Sequence, residues 1–277
     1  MKRILFPTDF SETANNAFVY ALEMAKHLGA EFIVLHVYDS PNLTYEGCPS
    51  SIAAIYETIE LKNFENFKDQ IPYLRKIAVE HHFEDVKMSH VLRRGNLVKI
   101  IKEIAEAENI DLIVMGTHGA SGLKEVFLGS NTGYAITLVP IMLLCVPIDS
   151  KYEKIKNICF TTLFKGEEKK ALLEVLNIAK KFHAKVKCLT VKTSSSKLTN
   201  EHIENWQSDF KKEPVEFFVI PKDDVKKTIN DFLMYQEIDI LAMLTRKRNL
   251  IEELFSQSLT QKLSFYSKTP ILVLHEK

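Results

Sequence analysis

The sequence predicts an α/β protein made of two tandem units, each an open, doubly wound sheet of five parallel strands. Three observations predict this. Short apolar runs alternate with stretches of helical periodicity through the first 150 residues, the signature of a parallel sheet with helices on both faces. Glycine, proline and acidic residues punctuate the ends of the apolar runs. The same order of runs then starts again, with similar words, and the chain of 277 residues is long enough for two ordinary domains.

Residues 2–8 (KRILFPT) read as a short buried strand ending at Pro7. Ser11 is suited to cap the helix that follows. Ala14, Ala17, Phe18, Ala21, Leu22, Ala25 and Leu28 recur at helical spacing up to Gly29, a C-terminal stop. Residues 31–37 (EFIVLHV) form the second strand, and residues 39–50 a polar loop with Pro and Gly. Residues 51–81 read as helix, expected to be disturbed at Pro72. A third strand is expected over 85–92, a third helix over 97–107 and a fourth strand over 112–115. A fourth helix over 129–138 and a fifth strand over 141–146 complete the unit.

The second copy is legible by comparison. Residues 154–162 (KIKNICFTT) resemble 2–8, residues 185–191 (KVKCLTV) resemble 31–37, and DILAM at 239–243 resembles DLIVM at 111–115. The alignment predicts a shorter loop and second helix in the second copy, and domains over 1–149 and 152–277.

The candidate site lies in DLIVMGTHGASGLKEVFLGSNT, residues 111–132. Gly116 and Gly119 follow a buried strand, and Gly129-Ser130 opens a helix. Residues without Cβ let backbone N–H groups approach phosphate oxygens, and the positive end of a helix dipole favours the same anion. A loop that simply turns tightly is the plainer alternative. In open parallel sheets ligands bind beyond the carboxyl ends of the strands, at the switch point; Asp9, Val37, Gly95 and Gly116 all fall at such ends.

Gly116-x-x-Gly119, nine residues and Gly129-Ser130, with the words MGTHG and LKEVFLGS, resemble the ATP-binding signature of the universal stress protein family over residues 1–147. The resemblance implies an adenine nucleotide alpha hydrolase-like fold. It also implies that the last strands of the two copies pair, making an intrachain pseudo-dimer, with a further homodimer possible. The implied nucleotide site comprises Pro7, Thr8, Asp9, Val37, Met115, Gly116, His118, Gly119, Gly129, Ser130 and Asn131, holding ATP with Mg2+ or Mn2+ bridging its phosphates. Asp9 would hold the adenosine end, unless it merely forms a turn beside Ser11. Val37 would meet the adenine edge through its backbone, and Met115 serves either nucleotide or core. The Ser130 hydroxyl would bind phosphate while capping its helix. His118 reads either as a phosphate stabiliser or as a solvated loop residue, and Lys124 as a counter-charge or a surface lysine.

The second copy replaces Gly116 by Leu244, Gly119 by Lys247, Gly129 by Gln257 and Asp9 by Leu163. It is expected to hold no nucleotide, its side chains filling the space, and to serve structurally.

Lys plus Arg and Asp plus Glu both number 36, so no net charge draws the chain to nucleic acid or an anionic membrane. Cys48, Cys145, Cys159 and Cys188 form no Cys-x-x-Cys pair, and three lie in apolar runs, as buried reduced thiols of a cytoplasmic protein. No signal-like or membrane-spanning stretch is read. Three functions compete: a stress-response regulator that binds ATP in its first domain, a slow ATPase or phosphotransferase on that site, and a nucleotide-free scaffold. The chain contains no Gly-x-x-x-x-Gly-Lys-Ser/Thr loop and no acid pair placed for metal-assisted attack, which weighs against an enzyme.

Overall fold

The structure, a computed structural model, describes residues 1–39, 49–117, 129–245 and 268–276. The first half runs β1 (Arg3–Pro7), α1 (Glu12–Leu28), β2 (Glu31–Tyr38), α2 (Pro49–Glu80), β3 (Met88–Arg94), α3 (Leu97–Ala107), β4 (Leu112–Gly116), α4 (Ser130–Leu138) and β5 (Met142–Val146). The second half runs β6 (Asn157–Thr161), α5 (Glu168–Phe182), β7 (Lys185–Lys192), α6 (Asn200–Asp209), β8 (Val215–Pro221), α7 (Val225–Tyr235), β9 (Ile240–Thr245) and β10 (Ile271–His275).

The ten strands form one sheet in the order β3-β2-β1-β4-β5-β10-β9-β6-β7-β8. Within each half every pairing is parallel. Each half therefore has the order 3-2-1-4-5 in its own count, a doubly wound sheet. The halves meet where β5 and β10 pair antiparallel, with Leu143 opposite Val273, Leu144 opposite Leu272 and Cys145 opposite Ile271. Leu144 lies beside Val114 of β4, and Leu272 beside Ala242 of β9, the residues three after Asp111 and Asp239. The central pair, Leu144 with Leu272, is thus made of corresponding residues, as a pseudo-twofold axis requires.

The period-2 pattern of the strands puts alternate residues on opposite faces, and both faces are buried. Ile4, Phe6, Phe32, Val34, Leu112, Leu144, Leu272, Ile240 and Phe160 share one face with side chains of α1, α5 and α6. Leu5, Ile33, Leu35, Ile113, Leu143, Val273, Leu241 and Cys159 share the other with α3, α4 and α7. Each cluster runs across both halves.

The repeat extends to single hydrogen bonds. Asp111 Oδ2 accepts from the N–H groups of Lys2 and Arg3, and Asp239 Oδ2 from those of Lys156 and Asn157. Phe10 (φ 61°) and Phe164 (φ 57°) both turn left-handed after their strands, each donating to the threonine Oγ1 two residues back. Ser11 caps α1 as the sequence predicts, accepting from Ala14 N–H.

Two expectations meet a different outcome or a clear measure. The helix over Pro49–Glu80 continues through Pro72 rather than breaking there. Pro72 lies on the exposed side, where the carbonyl deprived of its partner can turn to water. The second helix of the repeat is indeed shorter, α6 having 10 residues against 32 in α2.

The connection between halves is tied to α1. Asn16 Nδ2 donates to the carbonyls of Pro147 and Ser150, the Tyr20 hydroxyl bonds Ser150 Oγ (2.7 Å), and the Tyr152 hydroxyl donates to buried Glu23. Burial raises the pKa of Tyr20 to about 12, so it stays a neutral donor. Cys145, Cys159 and Cys188 are free and buried, and burial pushes all three thiols up, away from reactive thiolate. Cys48 lies outside the described residues.

Because the apolar seam is shared, the halves are expected to unfold in one transition. Leu144→Ala and Leu272→Ala should each cost about 2–5 kcal/mol. In urea unfolding the double variant is expected to fall short of their sum, because the residues face each other; two separate transitions in the wild type would contradict the shared core.

Candidate functional site

At the carboxyl ends of β1, β2 and β4, where the winding of the first half reverses, lies a cavity of about 290 Å3. Pro7, Thr8, Asp9, Val37, Met115, Gly116, Gly129, Ser130 and Asn131 all line it. Nine of the residues singled out in the sequence are thus brought together. His118 and Gly119 lie outside the described residues, as does Lys124.

Each wall has a local cause. Thr8 ends β1, donating its N–H to Leu35 O and accepting from Phe10 at Oγ1, while His36 Nδ1 donates to its carbonyl (2.8 Å). Thr8 is therefore a fixed frame. Asp9 is exposed, and its Oδ1 accepts from Ser11 N–H (3.1 Å). The turn-forming role weighed for Asp9 is real, and the residue still faces the cavity. Met115 is 5% exposed and belongs to the core as well as the wall.

Gly116 has a different reason to be glycine from the one the sequence suggests. A Cβ there would meet Thr13 Cγ2 at 2.8 Å and Thr13 O at 3.1 Å. Its missing side chain lets the end of β4 press against the first turn of α1, and its carbonyl accepts from Thr132 Oγ1 (2.9 Å). Packing by itself therefore demands this glycine, which also lines the cavity.

The start of α4 also departs from expectation. Gly129, in extended conformation (φ −62°, ψ 152°), is the N-cap, and Ser130 is the first helical residue. Ser130 thus does not cap the helix. The Gly129 N–H is engaged by Thr117 O (2.5 Å), and Gly129 has no side chain with which to satisfy the first-turn N–H groups. Ser130, Asn131 and Thr132 of this first turn line the cavity, which sets the positive end of α4 at its wall.

Sequence reasoning did not single out Ala14, Asp39, Asn96, Leu97 and Thr132 as wall residues, although it placed Gly95 at a strand end. Gly95 has φ 135°, a conformation open essentially to glycine, and donates to Tyr38 O (3.0 Å). This bend brings Asn96, the N-cap of α3, to the cavity. The Gly-Asn pair before an apolar helical run was the available signal.

The cavity is chemically polarised. Asp9 and Asp39 supply carboxylate acceptors on the β1–β2 side, and the α4 N-terminus supplies donors on the other. Among the described residues no lysine or arginine lines it, and no group of three or more His, Cys, Asp or Glu is placed to hold a metal ion. Among them, too, no helix is long and apolar enough to cross a membrane.

Fold and cavity define a class: a tandem, doubly wound α/β protein with a cavity at a switch point. The chain belongs to the universal stress protein family, whose model matches residues 1–147. It is 36% identical to Universal stress protein MJ0577 of Methanocaldococcus jannaschii over 140 residues, 47% of this chain and 85% of that one. It is 30% identical over 145 residues to the universal stress protein in the QAH/OAS sulfhydrylase 3'region of Thermus aquaticus, 52% of this chain and 98% of that one. A solved universal stress protein of Archaeoglobus fulgidus matches the whole fold at TM-score 0.69 and 18% identity, over 99% of this chain and 96% of that one.

A Gly116→Ala substitution is expected to destabilise the protein by about 1–3 kcal/mol through overpacking. Adding Thr13→Ser, which removes the methyl nearest the new Cβ, should recover part of that loss in denaturant titrations. Equal stability of wild type and Gly116→Ala would refute the packing account.

Proposed function

We propose that this protein is a cytoplasmic stress-response regulator that binds ATP in the first-half cavity, with Mg2+ or Mn2+ carried between the nucleotide's phosphates. The observation that carries the reading is the polarity of the cavity. Carboxylates at Asp9 and Asp39 suit the hydroxyl and amino donors of an adenosine. The first turn of α4, Ser130, Asn131 and Thr132, brings the positive end of the helix to the cavity and suits phosphate. The volume is at the low end for a small-molecule site and matches the nucleoside part of the ligand. Val37 and Met115 offer it an apolar wall.

In this reading residues 1–149 are the nucleotide-binding domain and residues 152–277 a partner domain that takes no nucleotide. Binding rather than turnover is the role this reading assigns, resting on a sequence without a Gly-x-x-x-x-Gly-Lys-Ser/Thr loop. A metal ion would be held chiefly by the nucleotide itself, as the described residues offer it no cluster.

Calorimetric titration of the whole chain with ATP, ADP and AMP in magnesium tests the proposal. One site per chain is expected. Gly129→Gln copies the second half's residue at a backbone conformation that any residue adopts, and should weaken ATP by about tenfold or more, roughly 1.4 kcal/mol. Full affinity in that variant, or no heat with any of the three, would defeat the reading. Steady phosphate release from saturating ATP would convert it into an enzyme.

A further inference from the structure

The second half also has a cavity at the carboxyl ends of its strands, lined by Leu163 and Leu244, while Lys247 and Gln257, also expected to fill the space, lie outside the described residues. Its volume is about 840 Å3. It lies at the place corresponding to the first, and the aligned positions show what changed. Leu163 stands for Asp9, Glu168 for Ala14, Val225 for Leu97 and Leu244 for Gly116.

Glu168 is the decisive substitution. Ala14 offers the first cavity only a methyl group. At the corresponding place the Glu168 carboxylate is 4% exposed and accepts from Thr162 Oγ1 (2.7 Å), Lys165 N–H (2.9 Å) and Leu163 N–H (3.0 Å). A carboxylate of the protein itself already occupies the donors of this loop. The rest of the wall is largely apolar: Leu163, Phe164, Leu189, Ile229 and Leu244 among others. Leu163 is 51% exposed and Val225 37%, so apolar surface is left open to solvent around a concave site. Lys165, Lys197, Lys226 and His202 also line the cavity and can hold a polar or anionic end of a ligand.

We propose that this cavity is a second ligand site, specific for a small molecule with an apolar body, and independent of nucleotide in the first half. The size falls within the range of small-molecule sites. The ligand gains affinity by removing Leu163, Val225 and the floor residues from water. The two halves would then sense chemically unlike molecules.

Trp206, the only tryptophan, meets the cavity wall through Phe164, edge to face at 5.3 Å between ring centroids. It therefore reports on this half. Titration of the full chain with N-phenyl-1-naphthylamine, an uncharged apolar fluorophore, is expected to show saturable energy transfer from Trp206 with one dye per chain. Excess magnesium ATP should not displace it. Leu163→Asp and Val225→Asp alter exposed side chains, so the fold should survive, as an unchanged circular dichroism spectrum would show. Each variant is expected to weaken the dye several-fold, and the pair tenfold or more. Absence of saturable uptake would overturn the proposal, the cavity then being covered by the chain itself. So would displacement by ATP, or full affinity in the folded double variant. None of these outcomes bears on whether the first half binds ATP.

Discussion

The molecule depends on the pairing of two apolar edge strands. Strands β5 and β10 would each leave a row of unpaired backbone groups and a band of Leu, Ile and Val side chains in water. Such edges invite association, and here each covers the other within one chain. The register centres on corresponding residues, Leu144 and Leu272. A second contact obeys the same symmetry: His27 of α1 faces the carbonyl of Lys181 (3.3 Å) at the matching position of α5, and stacks on Phe182. Sheet and helical layer are thus joined about one axis, and the core continues through it.

That closure frees the carboxyl ends of the strands from any duty in holding the halves together. Both ends keep the same backbone, down to the left-handed turns at Phe10 and Phe164. Their chemistry has diverged. The first cavity sets two aspartates against a helix N-terminus, whereas the second buries a glutamate in its own loop and surrounds it with leucine, isoleucine and phenylalanine. Few changes in side chain suffice, because the scaffold's stability rests on the sheet and not on the loops.

Much of this was legible beforehand. Alternating apolar runs of strand length and helices at 3.6-residue spacing need only local periodicity to be recognised, and the repeated words around Asp111 and Asp239 marked two copies of one topology. Nine wall residues of the first cavity could be named: Asp9, Val37 and Gly116 because strand ends in a parallel sheet converge by geometry, Gly129 and Ser130 because they open a helix, and the others through the family resemblance. Pro72 was misread because local propensity cannot see that the helix face it occupies is exposed. Gly116 was assigned to ligand clearance because a sequence does not show that Thr13, far away along the chain, comes within 2.8 Å of its missing Cβ.

The sequence by itself determined the class of fold, its duplication and the family, since these follow from periodicity and from matching words. Only the tertiary structure decided that the second half keeps a cavity, and that Glu168 turns inward to occupy its loop's donors. The reason is physical: a side chain's effect on a cavity depends on its direction and on which backbone groups it satisfies. Neither is a property of residue type or spacing.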